Sequence, residues 1–393
     1  MSHSPAFDAR ACMDRFTAAV FGITFGLLMA GVLPGLTAGA AAGRLLFLAG
    51  LGLLGMTGLL YAARWLAKDL RPLRSRPFSG LAPACLAIIA GPQMLTCGNP
   101  LLGAGIALAL GLGFMSYFAF REAFSWQSSG LCSCRGMGVM IGAICVAGVA
   151  AAAAGRFLQG AGIGVALSPG LARSNPPGFE QAFGFFLMAG YPFLAAGGGA
   201  EDARAARLGW RLAAAAAMAG ILLSLSRAAW LGFAAVLAVM WIQDRRQWKA
   251  PLACAAMALL GVILEPSLAQ RAATLFSDTH ATNIQRLDQW RAAVELAAAS
   301  PMTGWGLGSF GGLYCSMAGA TIRYPWPHNL YLHIAAECGL PALIAFGVWL
   351  LQMPQSVKPG LLPDSRGQAM AEAFFRAARS LAAGILVFGL FDL

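Results

Sequence analysis

Charged residues are scarce in this chain. Asp, Glu, Lys and Arg make up 11% of its 393 residues, whereas hydrophobic residues make up 59%. Because soluble domains carry about 25% charged residues, the composition excludes a soluble globular enzyme and an intrinsically disordered chain. Low charge together with a mean hydropathy of +0.68 is typical of an integral membrane protein. We therefore expect an all-α polytopic bundle in a lipid bilayer.

Basic patches and paired cysteines are also missing. The net charge of +11 would suit a nucleic-acid partner, but the charges lie between apolar runs, as in the loops of membrane proteins. The nine cysteines indicate neither a disulfide framework nor a metal quartet, because most of them fall within apolar runs and only Cys315 lies in the long polar stretch. We expect no nucleic-acid partner and no metal.

Long apolar runs dominate the sequence instead. A helix that spans a bilayer needs about 20 mostly apolar residues. The predicted spans are 16–36, 45–63, 79–98, 101–120, 137–155, 179–199, 210–226, 228–243, 250–266, 328–351 and 380–393. The last run is too short to cross a bilayer, so we expect that helix to be incomplete.

One polar stretch, 267–327, divides the chain. It separates an N-terminal transmembrane bundle of about nine spans (1–266) from the C-terminal transmembrane helices (328–393). Placing the N-terminus in the cytoplasm puts 19 of the 27 Lys and Arg residues on the cytoplasmic side. The eight left outside are Arg44, Arg156, Arg173, Arg227, Arg271, Arg286, Arg291 and Arg323. Because positive charges favour the cytoplasmic loops, the 267–327 loop is expected outside the cytoplasm.

Glu337 is the exception among span interiors that are otherwise almost uncharged. Charges in such positions are usually functional, and this one lies about 13 Å into the tenth span at 1.5 Å per residue. Pro341 follows four residues later and removes the helical hydrogen-bond partner of the Glu337 carbonyl. We expect a kinked, polar spot whose carboxylate either binds substrate or holds a neighbouring helix.

Arginines on the outer side are candidates because the distribution of charge disfavours them there. Arg227 follows the turn between the seventh and eighth spans, where it either binds substrate or extends to lipid headgroups. Arg286 and Arg291 fall on a predicted amphipathic surface helix that precedes Pro301. Arg286 has no acidic residue three or four positions away, so we expect it to bind an anion, whereas Arg291 can pair with Glu295.

Two features of the predicted surface helix complete its description. Thr282 or Asn283 is expected to cap its N-terminus. Ile284, Leu287 and Val294 are expected to face the membrane, while Asp288 and Gln289 belong to the solvated side together with the arginines.

His328 and a glycine-rich run complete the outer-side set. Residues 306–311 match GxGxxG, but no strand precedes them, so the run predicts a tight loop in which Trp305 makes aromatic contacts. His328 follows two prolines at the start of the tenth span, and an imidazole suits proton transfer near neutral pH. His333 is expected to pack.

One histidine with several arginines outside the cytoplasm indicates phosphate chemistry. Guanidinium groups bind phosphate through two parallel hydrogen bonds. Since nucleotide sugars and ATP are not supplied there, the simplest phosphate-bearing substrate is a lipid diphosphate. The pattern favours glycosyl transfer from a polyprenyl carrier, with a histidine base and arginines that bind the diphosphate. A transporter or flippase is the alternative from a different class, although such carriers usually need several ionisable groups within the membrane.

Five ordered motifs resemble the O-antigen ligase/polymerase superfamily. They are Ser226-Arg227-Ala228-Ala229-Trp230, Arg286-x-x-x-Trp290, Pro301-Met302-Thr303-Gly304-Trp305-Gly306-Leu307-Gly308-Ser309-Phe310, His328-Asn329-x-x-Leu332 and Glu337-x-Gly339-Leu340-Pro341. Upstream, Arg173-Ser174-Asn175-Pro176-Pro177 resembles the family's Asn-Pro-Asn segment, with Pro177 in place of the second Asn.

The resemblance implies a GT-C-like glycosyltransferase of about 11–12 transmembrane helices at the periplasmic face of the bacterial inner membrane. It implies an enzyme without metal or cofactor that takes a glycan from undecaprenyl diphosphate. The acceptor is a lipid A-core sugar (ligases), another repeat unit (polymerases) or a protein (O-oligosaccharyltransferases), and we expect the first. His328, Arg227 and Arg286 match the essential residues of the ligases. The further expected substrate contacts are Arg173, Asn175, Arg291, Trp305, Arg323, Asn329 and Glu337.

Overall fold

The computed structural model describes Gly142, Val146 and residues 179–264, 266–275, 277, 280–318, 326–356 and 365–391. Its helices are α1 (Phe179–Ala200), α2 (Arg204–Leu223), α3 (Arg227–Gln243), α4 (Lys249–Leu264), α5 (Pro266–Ala273), α6 (Ala281–Ala299), α7 (Phe310–Ala318), α8 (Leu330–Ser356) and α9 (Ser365–Phe391). A 3₁₀ turn, Arg245–Trp248, joins α3 to α4. Within these residues the chain is helical and has no strand, which confirms the all-α prediction for this part.

The membrane prediction is also confirmed for the described part. Four of its segments are long and apolar enough to cross a bilayer: Arg204–Leu223, Arg245–Leu264, Leu330–Leu350 and Glu372–Phe391. The predicted sixth and eighth spans are the helices α1 and α3, of 22 and 17 residues. The first five predicted spans lie outside the described residues, apart from Gly142 and Val146 in the fifth.

The last helix begins earlier than the sequence predicted. α9 has 27 residues from Ser365, not the short fragment expected from 380. That prediction was wrong because Arg376 and Arg379 interrupt the apolar sequence although both lie within the helix. Both residues are exposed on one side of α9, while Phe374 and Ala377 on its other side are buried in the bundle.

The core of the bundle forms where α1, α2, α3 and α9 meet. Leu187 and Met188 of α1 and Phe388 of α9 are almost completely buried there. Lipid tails are as apolar as these side chains, so helices associate in a membrane through close packing at small residues. A Cβ atom on Gly232 of α3 would lie 2.6 Å from the Met188 sulfur and 2.9 Å from the Gly384 carbonyl oxygen of α9. Glycine therefore allows the three helices to approach one another.

The contacts between α3 and α9 show that the two helices are antiparallel. Gly232 near the start of α3 faces Gly384 and Phe388, whereas Gln243 at its end donates a hydrogen bond of 3.2 Å to Ser380. One end of the bundle, here called the basic end, therefore carries Arg245, Arg246, Arg376 and Arg379. The other, called the histidine end, carries the start of α3 and the end of α9.

A sharp bend divides α8 in two. Gly339 has non-helical angles, φ 82° and ψ 170°. Tyr331 and Phe346 would be about 22 Å apart along a straight helix, yet their ring centroids are 6.3 Å apart. We call the two parts α8N (residues 330–338) and α8C (residues 340–356). The bend lies after Glu337, so it leaves the predicted distance of about 13 Å from the start of the span unchanged, and the depth of Glu337 in a bilayer stays a prediction.

Candidate functional site

The turn between α2 and α3 presents Arg227 at the first position of α3. Leu225 has a φ of 57°, and the Ser226 side chain caps α3 by accepting a hydrogen bond of 3.3 Å from the Ala229 amide. The Trp230 indole donates to the Ile221 carbonyl at 3.0 Å. Because side chains satisfy the backbone groups of this buried turn, the start of α3 is fixed in position.

Arg227 is buried and reaches across the fold. The residue is 5% exposed, and its guanidinium donates from Nη1 to the Thr274 carbonyl at 2.6 Å and from Nη2 to the Thr282 hydroxyl at 3.1 Å. These bonds connect α3 to the segment before α6 and to the first turn of α6. Burial contradicts the alternative in which Arg227 extends to lipid headgroups.

The first turn of α6 differs from the predicted cap. His280 precedes the helix and makes no side-chain capping bond. Thr282 lies inside the helix, where its hydroxyl accepts from Arg227 and lies 2.7 Å from His280 Nδ1. Asn283 donates to the carbonyls of Thr274 and Ser277. The capping prediction was wrong because these side chains hold the chain before the helix to the helix.

Arg286 lies one turn after Thr282 on the same side of α6, since residues four apart are neighbours on a helix. It is half-buried and has an interaction partner within the protein. Arg291, by contrast, has a side chain that is 77% exposed and lies 3.6 Å from Asp288. The ion pair observed for Arg291 is thus with Asp288 rather than with the predicted Glu295, and an exposed pair of this kind contributes little stability.

The orientation of α6 is only partly as predicted. Ile284, Leu287 and Val294 are exposed, as expected for a side that faces lipid. Gln289 was assigned to the solvated side, but it is fully buried. That assignment was wrong because α6 packs through small residues, including Ala293, against α7 and α8.

The loop between α6 and α7 supplies the hydrogen bonds that α8 lacks at its bend. We call residues 300–309 the glycine loop. The Trp305 and Gly306 amides donate to the carbonyls of Ala336 and Glu337 at 3.0 and 2.9 Å. The Leu340 amide donates to the Pro301 carbonyl at 2.7 Å. A continuous helix would have paired the Ala336 carbonyl with the Leu340 amide, whereas the Glu337 carbonyl has no helical donor because residue 341 is proline; the glycine loop satisfies all three groups.

Glu337 binds the same segment through its side chain. The carboxylate is 3% exposed, and it accepts hydrogen bonds from the Gly308 amide at 2.8 Å and from the Phe310 amide at 3.0 Å. Phe310 is the first residue of α7, and a carboxylate at a helix N-terminus is electrostatically favourable. His333 Nε2 lies 3.2 Å from the same carboxylate, so His333 belongs to this cluster as well as packing against Phe310.

Trp305 and Asn329 are both held by the protein. The Trp305 indole donates to the Leu296 carbonyl at 2.8 Å, and the residue is 40% exposed. Asn329 is buried and caps α8, since its Oδ1 accepts from the amides of Tyr331 and Leu332 at 3.1 Å. Its Nδ2 donates to the Leu390 carbonyl at 3.1 Å. Asn329 therefore fixes the start of α8 against the end of α9.

His328 immediately precedes this cap. Its φ is 53°, a left-handed conformation that costs about 1–3 kcal/mol in a residue other than glycine and is enriched at functional sites. The residue is half-buried, and its ring lies edge-on to Trp326 with the centroids 6.3 Å apart. The observed strain gives a physical reason to treat His328 as functional.

A chain of contacts brings His328, Arg286 and Arg227 to the histidine end. Arg227 bonds to Thr282, one turn before Arg286 on α6. One turn after Arg286, the Trp290 ring lies 6.3 Å from the Phe391 ring at the end of α9, where Asn329 also binds. Three other predicted site residues, Arg173, Asn175 and Arg323, lie outside the described residues.

The basic end carries a separate polar cavity. It is lined by Gln243 at the end of α3 and Asp244 after it, by Arg376 and Ser380 of α9 and by small residues of α1. Because it lies at the opposite end of the bundle, it does not belong to the histidine site. In the described part of the chain, no group of three or more His, Cys, Asp or Glu side chains is arranged to hold a metal ion.

Comparison with known families identifies the region that contains these residues. Residues 212–347 match the family model described as O-antigen ligase. The resemblance is confirmed. The match to the O-antigen ligase family includes the turn that presents Arg227, all of α6, the glycine loop and the His328–Glu337 segment. Arg173 and Asn175 lie outside it. A search of curated proteins finds no match.

Several residues of the site escaped the sequence analysis. Thr274 and Thr282, which accept from Arg227, are separated from it by 47 and 55 positions; Thr282 was expected only as a helix cap, and no short-range pattern marks either contact. Glu337 was recognised by its charge, but its binding to the glycine loop was not. The glycines at 304, 306 and 308, each with positive φ, were the available signal, since they mark a loop that another backbone can approach closely.

Proposed function

We propose that this chain is an O-antigen ligase that transfers a glycan from undecaprenyl diphosphate to a sugar hydroxyl of lipid A-core. The proposed location is the periplasmic face of the bacterial inner membrane, with the N-terminus in the cytoplasm. The observation that carries the proposal is the O-antigen ligase match over residues 212–347. The same residues hold the strained His328 and the buried Arg227.

The distribution of charge along the bundle supports this orientation. Arg245, Arg246 and Arg379 lie at the basic end, which corresponds to the cytoplasm under the positive-inside rule. His328 and Arg227 lie at the histidine end, which then faces the periplasm. A site at that face is reached by a lipid-linked diphosphate whose glycan is already assembled.

The proposed reaction is a single displacement at the anomeric carbon of the glycan. The acceptor hydroxyl oxygen forms a bond to that carbon as the bond from carbon to the diphosphate oxygen breaks. His328 takes the hydroxyl proton, and undecaprenyl diphosphate leaves with both electrons of the broken bond. Arg286 and Arg227 stabilise the negative charge that develops on the departing diphosphate. Asn329 holds His328 in place, and Trp305 and Arg291 are exposed for contacts with the glycan.

A polymerase or a protein O-oligosaccharyltransferase of the same superfamily would use the same residues. Genetic disruption distinguishes these activities, because each leaves a different product. The experiment compares the lipopolysaccharide of the wild-type strain with that of a strain lacking this gene, together with the glycan that remains on the polyprenyl carrier.

Bare core with long glycan accumulating on the carrier is the result expected for a ligase. Core capped with a single repeat unit would instead mean a polymerase. An unchanged lipopolysaccharide profile would contradict both, and the search would move first to glycosylated proteins and then to transport of the lipid-linked glycan.

A further inference from the structure

We propose that Glu337 is a positioning residue that locks the bend of α8 and thereby fixes His328 in the transfer site. The inference rests on the proposed function for the role of His328, but the locking itself is a property of the fold. It assigns to Glu337 a function other than contact with substrate.

The backbone at the bend of α8 depends on the glycine loop for its hydrogen bonds. Pro341 has no amide hydrogen, and Gly339 breaks the helix, so the carbonyls of Ala336 and Glu337 and the amide of Leu340 need partners elsewhere. All three partners belong to the glycine loop: Trp305, Gly306 and Pro301. The backbone amides and carbonyls of the bend and of the glycine loop therefore pair with each other, so neither conformation is satisfied without the other.

The Glu337 carboxylate adds a second set of bonds between α8 and this segment. Both oxygens of Glu337 are occupied by amides of the same segment, those of Gly308 and Phe310. A buried carboxylate without partners is unfavourable, whereas hydrogen bonds to an ionised acceptor are about twice as strong as neutral ones. With His333 also 3.2 Å away, Glu337 is the point at which α8N, the glycine loop and α7 are joined.

Close packing of the two backbones also restricts the bend. Gly304 has a φ of 66°, and a Cβ on it would collide with the backbone of Glu337. Gly339 has a φ of 82°, and a Cβ on it would lie 2.7 Å from the Met302 carbonyl oxygen. The two backbones thus pass in direct contact at this point, which leaves little freedom for the angle of the bend.

The angle of the bend in α8 affects the position of His328, because His328 lies at the far end of α8N. His328 precedes Gly339 by 11 residues, about 16 Å along a helix. A change of about 20° in the bend would move it by roughly 5 Å, whereas a misplacement of about 1 Å can cost 100-fold in rate. Asn329 fixes the other end of α8N to α9. Glu337 and Asn329 together therefore determine where His328 stands relative to the arginines of α3 and α6.

The locking can be measured without any transfer assay. We compare backbone amide hydrogen exchange, followed by mass spectrometry, in the full-length wild type, Glu337→Gln and the control Glu295→Gln. Glutamine keeps one acceptor oxygen but turns an NH₂ group toward the second amide. Exchange in peptides covering residues 304–311 is expected to become at least fivefold faster in Glu337→Gln. It should stay unchanged in the control, because Glu295 is exposed on α6.

A second variant keeps the test valid if Glu337→Gln does not accumulate. Pro341→Ala restores a helical donor that competes with Gly306 for the Glu337 carbonyl, and it leaves the carboxylate intact. Faster exchange at the glycine loop in this variant supports the proposal. Wild-type exchange in Glu337→Gln, or in Pro341→Ala if Glu337→Gln does not accumulate, would overturn it.

The kinetics of glycan transfer then test whether Glu337 positions His328. With purified protein, a lipid-linked glycan and lipid A-core, Glu337→Gln is expected to lower kcat at least tenfold while the KM for the donor stays within twofold, because the arginines lie on other helices. Faster exchange with an unchanged kcat would overturn the positioning role. A KM effect alone would overturn it too, because direct substrate contact is then indicated. If His328→Ala retains transfer, the proposed function of His328 fails, while the exchange result still decides the locking.

Discussion

The Arg227 guanidinium donates a hydrogen bond of 3.1 Å to the Thr282 hydroxyl across 55 positions of sequence. This bond joins the buried N-terminus of α3 to the first turn of α6, one turn before Arg286. It makes the two arginines neighbours in the fold, although they belong to different helices.

The bond between Arg227 and Thr282 predicts the effect of changing the threonine. Thr282→Val keeps the shape of the side chain but removes the acceptor, so Arg227 should lose its orientation toward α6. We expect transfer to fall about tenfold, because a lost bond to a charged group costs about 1.5–3 kcal/mol. Thr282→Ser retains the hydroxyl and should keep most of the activity. Equal activity in the valine and serine variants would contradict this role.

We predict that glycan transfer depends on the planar guanidinium group of Arg286 and not only on its charge. In Arg286→Lys a point charge replaces a group that binds two oxygens at once, so kcat/KM for the lipid-linked donor should fall at least tenfold. The matched control is Arg246→Lys, which changes an exposed arginine at the basic end. Rates of transfer by equal amounts of purified protein provide the measurement. A similar loss in both variants would indicate a general effect of charge rather than a role for Arg286.

Asn329 is predicted to stabilise the start of α8 in two separable ways. Asn329→Ala removes the cap and the bond to Leu390, and loss of a cap alone costs about 1 kcal/mol. Asn329→Asp keeps the cap but loses the donor, so its Tm should lie between those of the wild type and Asn329→Ala. Thermal unfolding in detergent measures this order. An aspartate variant that is no more stable than the alanine variant would mean that the cap contributes nothing here.

Substitution by alanine should be tolerated at Gly312 of α7 but not at Gly304 of the glycine loop. Gly304→Ala places a methyl group against the Glu337 backbone at a positive φ, so the protein should fail to accumulate in the membrane. Around Gly312 in α7, a Cβ would meet no atom within 4 Å, and alanine favours a helix by about 1 kcal/mol. Gly312→Ala should therefore accumulate normally. The measurement is the amount of each variant in isolated membranes. Normal accumulation of Gly304→Ala would contradict the packing described for the glycine loop.

Helix positions and the kink in α8 were accessible from the sequence because they depend on local properties. Apolar runs place the ends of α3 and α4 within two residues and those of α2 within six. Pro341 correctly predicts that the Glu337 carbonyl leaves the helical ladder. The sharp break, however, lies at Gly339. Its position depends on the glycine loop, which satisfies the exposed backbone groups from more than 30 residues away.

The orientation of α6 was not accessible in the same way. Apolar residues on a membrane-associated helix do not reveal which side faces the protein, because lipid accepts Ile284 and Leu287 as readily as a protein core does. The buried side consists of Gln289, Ala292, Ala293 and Leu296, of which only Leu296 is as hydrophobic as the exposed residues. Long-range bonds such as that from Arg227 to Thr282 have no local signature at all.

The most direct test of the account is transfer by the purified chain with and without His328. Wild type and His328→Ala are reconstituted at equal amounts with undecaprenyl-diphosphate-linked glycan and lipid A-core, and glycan-bearing lipid A-core is measured over time. The account predicts transfer by the wild type and a loss of at least 1,000-fold in His328→Ala, with normal membrane insertion and an unchanged Tm. Transfer by His328→Ala at more than a tenth of the wild-type rate would contradict the proposal that His328 takes the proton from the acceptor.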